Sequence, residues 1–315
     1  MNILEKTLEK LVLIDAHALI HRAYHALPEL KSPNGQIVNA VYGFCSVLIK
    51  IVREIRPKYL AAAFDLPAPT FRHREFKEYK AQRPKMPDDL IPQISLVRNV
   101  LQAFCIPAFQ KEGFEADDII GTIVEKVKKE RPNLTIIIAT GDLDTLQLVG
   151  PKVKIYTLKK GVKKTLFYTL ETVKERFGLS PEQMADFKGL SGDSSDNIPG
   201  VPGIGPKTAS YLIQKFDSIE NIYQAIENGR EEEIGKPNLI KKLKEFHQQA
   251  IFSKYLATIR KDVPIDFNLE QCFWEKYDFQ EVEKLFQWLG FPSLLKRLQE
   301  NGLVDQPNRQ QKKLF

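Results

Sequence analysis

Apolar and polar positions alternate along the chain in two regimes. Leu11 to Ile14 is a short, wholly apolar run ending on Asp15, the pattern of a parallel strand buried on both faces. A helical stretch follows from His17 and stops at Pro28, and Val38 to Pro57 is a strongly apolar helix with a basic end. Tyr59 to Phe64 repeats the strand pattern and again ends on an acid, Asp65. Beyond Ile94 an amphipathic helix runs to Pro107, and another begins at Asp117 with acids and ends with bases, as the helix dipole favours. Leu134 to Ala139 is the clearest strand and leads into Thr140-Gly141-Asp142-Leu143-Asp144. Lys152–Leu158 and Thr165–Leu170 read as two further strands around a Lys159-Lys160-Gly161 turn. From Ser180 the pattern is helical to about Glu300, apart from Val263 to Phe267. The expected architecture is α/β: a mostly parallel twisted sheet with helices on both faces over residues 1–178, then an all-helical domain over 179–300. Residues 301–315 are polar and read as a flexible tail.

Residues 67–94 break the alternation. They are densely charged, poor in aliphatics and interrupted at Pro84, Pro87 and Pro92. Arg74, Lys77, Lys80 and Arg83 recur every third residue, which predicts a basic row along one side of a helix. Phe71, Phe76 and Tyr79 are interleaved with them, the mix expected of a surface that meets a nucleic-acid strand.

Composition sharpens this picture. The 315 residues carry 46 basic and 40 acidic side chains, a net charge of +6. Cys45, Cys105 and Cys272 are scattered, which fits a reducing cytosol and excludes a disulfide framework or a zinc site. The N-terminus has no signal-peptide pattern, and no apolar run is long enough to span a membrane, so a cytoplasmic protein is expected.

The acids are placed unevenly. Asp15, Asp65, Asp142 and Asp144 lie at or just beyond the carboxyl ends of predicted strands, the edge where an open parallel sheet binds ligands. Glu115, Asp117 and Asp118 open a helix that should reach the same edge, and Asp193 and Asp196 are expected to pack back onto it. Nine carboxylates in one place require cations, and hard oxygen donors without a Cys or His pair imply Mg²⁺ or Mn²⁺. Setting those nine aside leaves 31 acids against 46 bases. A negative spot on a basic body suits a metal-filled site that acts on a polyanion.

Val201 to Ala209, Val-Pro-Gly-Ile-Gly-Pro-Lys-Thr-Ala, reads as a glycine turn opening into a helix. Gly200, Gly203 and Gly205 would let backbone approach a phosphate, with Val201 and Ile204 between the glycines and Lys207 and Thr208 in the helix's first turn. Such a cradle beside two acids points to metal-dependent chemistry on a nucleic-acid backbone.

The words Ile-Asp-Ala-His, Tyr-Lys-Ala-Gln-Arg, Gly-Phe-Glu-Ala-Asp-Asp, Thr-Gly-Asp-Leu-Asp and Gly-Asp-Ser-Ser-Asp-Asn-Ile-Pro-Gly-Val-Pro-Gly-Ile-Gly-Pro-Lys-Thr-Ala resemble, in order, those of the 5′-nuclease (flap endonuclease) family. The branch resembled is that of the N-terminal 5′→3′ exonuclease domains of bacterial DNA polymerases, over about Leu11 to Leu298. The resemblance implies a PIN-like domain with a helical arch at about 67–94, and a helix–hairpin–helix domain. It implies two metal regions, Asp15, Asp65, Glu115, Asp117 and Asp118 around one, Asp142, Asp144, Asp193 and Asp196 around the other. Arg72, Tyr79, Lys80 and Arg83 would act on the reacting phosphate, and Arg74 and Lys77 would contact the DNA beside the hairpin residues. Two Mg²⁺ ions, replaceable by Mn²⁺, and a K⁺ at the hairpin are the implied cofactors. The implied substrate is DNA with a 5′ flap, nick or free 5′ end, cut by a nucleoid-associated monomer in replication and repair. Ala16 stands where the family usually has glycine. No polymerase domain follows, so a separate protein would supply polymerisation unless the chain is a fragment. A PIN-type ribonuclease would share the acids without needing the hairpin, and a non-catalytic junction binder would lose the acids.

The chain ends Gln311-Lys312-Lys313-Leu314-Phe315. A polar hook followed by adjacent Leu314 and Phe315 suits a preformed apolar pocket on a partner, and the word resembles the peptide by which bacterial replication proteins hold the sliding clamp.

Overall fold

The computed structural model of the chain describes residues 9–158, 165–274 and 277–300. The Lys159-Lys160-Gly161 turn and the tail bearing Gln311, Leu314 and Phe315 lie outside the described residues.

The first half runs β1 (Lys10–Asp15), α1 (Ala16–Ala26), α2 (Asn39–Ile55), β2 (Tyr59–Ala63), α3 (Phe71–Glu75), α4 (Ile91–Ala103), β3 (Ala108–Phe109), α5 (Ala116–Glu130), β4 (Thr135–Ala139), β5 (Val153–Leu158) and β6 (Thr165–Tyr168). The sheet order is β3-β2-β1-β4-β5-β6, all parallel except β6, which pairs antiparallel with β5. The chain leaves β1 outward to β2 and β3, then returns to β4 on the other side, so the topological switch lies between β1 and β4. Ligands bind at the carboxyl ends of strands flanking such a switch. Leu11 and Leu13 point into a core shared with α5, while Val12 and Ile14 point into one shared with α1, α2 and α4.

The second half runs α6 (Leu170–Phe177), α7 (Met184–Ser191), α8 (Pro206–Phe216), α9 (Ile219–Glu227), α10 (Pro237–Glu245), α11 (His247–Ala257), α12 (Phe279–Leu289) and α13 (Pro292–Glu300). Its apolar residues, such as Leu190, Leu212, Ile222 and Leu243, join the core on the α5 face of the sheet. The last two helices differ from the expected continuous helical domain: they return to the opposite face and pack on α2 and α4. Phe291 meets Tyr42 edge-on at 5.2 Å and Phe286 meets Phe104 at 6.0 Å. Their apolar stripe, Val282, Phe286, Leu289, Leu294 and Leu298, finds its cover there. Among the described residues, no helix is long and apolar enough to cross a membrane.

The expected basic helix over the arch is corrected. α3 ends at Glu75, Phe76 is extended, and residues 77–83 form turns with Lys80 at φ 56°. A left-handed residue stops a helix. The aromatics do not line a nucleic-acid surface either. Tyr79 is buried with Ile198, Leu256 and Ala257, and Phe76 packs edge-on against Phe252, so burial of two rings against α11 overrides the local helical pattern. Arg74 and Lys77 remain exposed.

Candidate active site

Asp15 ends β1 and caps α1: its Oδ1 accepts from the Ala18 amide at 3.0 Å, and its Oδ2 accepts from the Thr140 hydroxyl at 2.7 Å. Thr140 Oγ1 accepts in turn from the Asp142 amide at 2.9 Å, and Asp142 Oδ1 accepts from the Asp144 amide at 2.9 Å. One chain of hydrogen bonds thus joins the carboxyl ends of β1 and β4. Asp65, just beyond β2, accepts from the Ala116 amide at the start of α5 at 2.8 Å, and His17 Nδ1 accepts from the Asp65 amide at 3.1 Å. Burial and the neighbouring Asp65 push the Asp15 carboxyl up to about 7.

Two lysines draw acids of the two halves together. Lys80 donates to Glu115 Oε1 at 2.7 Å and lies 3.6 Å from Asp196 Oδ2. Lys188 of α7 pairs with Asp144 and, at 2.5 Å, with Asp193. Each ammonium therefore spans one acid of the first half and one acid of the 193–196 loop. That loop is held by a two-way backbone bridge between Asp193 and Ile198, 2.9 Å in each direction. Burial opposes the charge on Lys188, but Asp144 and Asp193 outweigh it and keep the amine protonated above the ordinary lysine range. Burial likewise opposes ionisation of Glu115, and Lys80 and Arg72 overcome it, holding the carboxyl below its usual range. Asp144 is pushed up to about 6 by burial, against Lys188 and with Asp142 adding to the rise.

Three expected roles are corrected. Asp118 is fully buried; both its oxygens meet Arg72, at 2.7 and 2.9 Å, and they accept as well from the amides of Glu115 and Arg260. It is spent on cross-linking α5 to α3 and to the segment after α11, and leaves the metal set. Arg72, 2% exposed, is the other half of that lock; it also donates to the carbonyls of Leu256 and Thr258 and cannot reach a phosphate from outside. Tyr79 is buried too, with its hydroxyl 3.0 Å from Glu115 Oε2 and 2.9 Å from Asp196 Oδ2, so it positions acids and does not meet a strand. Arg83 stays partly exposed and pairs with Asp196 Oδ1 at 2.5 Å.

Among the described residues, no three carboxylate or histidine side chains stand close enough to enclose an ion; Lys80 and Lys188 lie between them. The residues nevertheless fit a hard cation. Asp117 Oδ1 is buried without a hydrogen-bond partner, and burial together with Asp118 raises that carboxyl well above its ordinary range. An orphaned buried oxygen among other carboxylates is a donor that a cation would satisfy.

The hairpin splits into interior and surface. Gly200, Val201 and Ile204 are buried, and Gly200 abuts Gly192 so closely that no Cβ fits, which makes it a packing glycine and not a phosphate contact. Gly203, with φ 77°, Gly205 and Lys207 are exposed at the start of α8, with Thr208 beside them.

Sequence reasoning passed over Lys188, Thr140, His17 and Lys242. The first three have a signal in hindsight, since each sits inside or next to a word carrying a site acid. Lys242 has none: α10 lays its ammonium against Gly203, where a Cβ would collide with it.

Residues 10–178 match the family described as 5′-3′ exonuclease, N-terminal resolvase-like domain, and residues 179–280 match 5′-3′ exonuclease, C-terminal SAM fold. DNA polymerase I of Bacillus subtilis (strain 168) is 43% identical over 294 residues, covering 93% of this chain and 33% of the relative. DNA polymerase I of Mycobacterium bovis is 36% identical over 292 residues, covering 91% and 31%. The chain thus spans about a third of the length of the curated relatives it matches. Among solved structures, the T5 D15 protein co-crystallised with metal ions superposes with a TM-score of 0.64 at 18% identity, covering 94% of this chain and 99% of that one. The catalytic core of Rad2 in complex with DNA substrate gives 0.58 at 20% identity, covering 95% and 94%. These two show a shared fold. With both halves matched in order, the chain belongs to the 5′-3′ exonuclease family.

Proposed function

We propose that the chain is a structure-specific 5′ nuclease that hydrolyses phosphodiesters of DNA at a free 5′ end, a nick or a 5′ flap, in primer removal and repair. The observation that carries this reading is the pairing of acids across the two halves, Glu115 with Asp196 and Asp144 with Asp193, on the switch-point edge of the sheet beside the hairpin. The solved neighbours, one with metal ions and one with DNA substrate, support it.

Divalent cations, two Mg²⁺ with Mn²⁺ as a substitute, would supply Lewis acidity and an activated water. Asp15, Asp65, Glu115 and Asp117 would hold one, and Asp142, Asp144, Asp193 and Asp196 the other. Thr140 and Tyr79 orient carboxylates of both sets through their hydroxyls. Lys80 and Arg83 neutralise charge on the reacting phosphate. Arg74 and Lys77, exposed beyond them, track the strand backbone. The amides around Gly203 and Gly205, with Lys207, Thr208 and Lys242, grip the duplex without reading its bases.

Gly205 offers a clean test of that grip. Its φ is −88° and nothing lies within 4 Å of where a Cβ would point, so Gly205→Ala folds normally while its methyl stands in the path of an approaching phosphate. Duplex affinity measured by fluorescence anisotropy is expected to fall about tenfold, roughly 1.4 kcal/mol, with an unchanged denaturation midpoint. Wild-type affinity would remove the hairpin as the anchor.

The whole reading is tested by incubating the protein with end-labelled flap, nicked duplex and single-stranded RNA, with and without Mg²⁺. Cleavage of RNA alone would turn the assignment towards a ribonuclease, and no metal-dependent cleavage at all would end it. For the tail, Gln311, Leu314 and Phe315 are proposed to hold a sliding clamp; titrating a labelled 305–315 peptide with the clamp, against its Leu314→Ala and Phe315→Ala double variant, decides that.

A further inference from the structure

Residues 78–83 do not stand clear of the acidic edge. They are stitched to the loop that carries Asp193 and Asp196. The Lys80 amide donates to the Asp196 carbonyl at 2.9 Å, and the Gln82 side chain donates to the Ser194 carbonyl at 2.7 Å. Arg83 Nε donates to the Ser195 carbonyl at 3.2 Å, and Asn197 Nδ2 donates back to the Glu78 carbonyl at 2.7 Å. Lys80 and Asn197, one on each side of this seam, adopt φ of 56° and 58°, a left-handed conformation that needs surrounding contacts to hold it.

Charge ties the seam to the acids beneath it. Lys80 and Arg83 carry two positive charges and meet Glu115 and Asp196, which carry two negative ones. Divalent cations, one for the set of Glu115 and one for the set of Asp196, bring positive charge to the same oxygens, and side-chain and metal cations crowded onto one pair of carboxylates would repel. The side chains assigned to the DNA phosphate are therefore also the side chains that compete for the carboxylates.

We propose that residues 78–83 form an autoinhibitory strap, shut when Lys80 and Arg83 hold Glu115 and Asp196, and released when the divalent cations of the two sets take those carboxylates. Release hands both cationic side chains to the phosphate, so metal loading and phosphate capture are coupled. The inference rests on the reading of these acids as a divalent-cation site.

The test is hydrogen exchange by mass spectrometry on the full chain, titrated with MgCl₂ in the absence of DNA, beside calorimetry of Mg²⁺ binding. Amides of residues 79–83 are expected to exchange about tenfold faster at saturating Mg²⁺, with a midpoint at the calorimetric dissociation constant, while those of β4 stay unchanged. Gln82→Ala loses a seam bond and touches no acid; it should exchange fast without metal and, because linkage is reciprocal, bind Mg²⁺ several-fold more tightly. Saturable Mg²⁺ binding with unchanged or slower exchange at 79–83 overturns the strap and leaves the metal site standing. Gln82→Ala binding Mg²⁺ like the parent overturns the competition. No Mg²⁺ binding by the parent removes the strap together with the reading beneath it.

Discussion

Asp142→Asn is expected to slow single-turnover cleavage of a 5′-flap substrate by about two to four orders of magnitude, the loss that follows when several kcal/mol of cation stabilisation disappears. The substitution is conservative where structure is concerned. Asparagine keeps the side-chain oxygen that accepts from the Asp144 amide, and the Asp142 amide still donates to Thr140. The residue is exposed, so its neutral form leaves no buried group unpaired. What changes is one negative charge at the carboxyl end of β4, close enough to Asp15 to raise that carboxyl. Duplex affinity in chelator should hold within about twofold, because it rests on the basic and glycine surfaces. Cleavage within about tenfold of the parent at limiting Mg²⁺ would take Asp142 out of the cation set.

Arg72→Met is expected to cost about 3–5 kcal/mol of folding stability, the range for breaking a buried ion pair from one side. The reason is Asp118, fully buried, which would keep its charge and lose both guanidinium contacts. The carbonyls of Leu256 and Thr258 would lose their donors as well, loosening the end of α11 from α3. Adding Asp118→Asn removes the stranded charge while one side-chain oxygen still accepts from the Arg260 amide, so the double variant should recover a large part of the loss. Urea unfolding curves measure both steps. A denaturation midpoint unchanged in Arg72→Met, with cleavage abolished, would restore Arg72 to the phosphate-binding role that its place before the Tyr-Lys-Ala-Gln-Arg word implies.

The acids at strand ends were legible because strand periodicity carries their direction. A buried strand that runs out onto a polar residue must place it at the sheet's edge, and Asp15, Asp65 and Asp142 needed nothing else. Asp117 and Asp118 show the limit of that reasoning. They are neighbours at the start of α5, and residues adjacent in a helix point about 100° apart. One leaves an oxygen without a partner and the other is consumed by Arg72; which did which depended on what α3 and the segment after α11 brought alongside.

The arch failed for a related reason. A basic residue at every third position predicts a helical row when solvent is the only neighbour. Phe76 and Tyr79 had a better place against Phe252, Leu256 and Ala257, more than 170 residues away, and burying two rings outweighs the few tenths of a kcal/mol per residue that separate helical from turn backbone.

By itself, then, the sequence determined the layered α/β half with its acids on one edge, the helical half and the glycine turn, because each depends on local period or on residues adjacent in the chain. The tertiary structure decided the use of individual charges. Lys80, Lys188 and Arg72 are all cations near acids, yet the first two bridge carboxylates from separate elements and the third is sealed in against Asp118 and Glu115 at the start of one helix. Lys242, on α10, reaches Gly203 from a helix about forty residues further along the chain. Electrostatic energy depends on distance and burial, and neither is written in the spacing of residues along the chain.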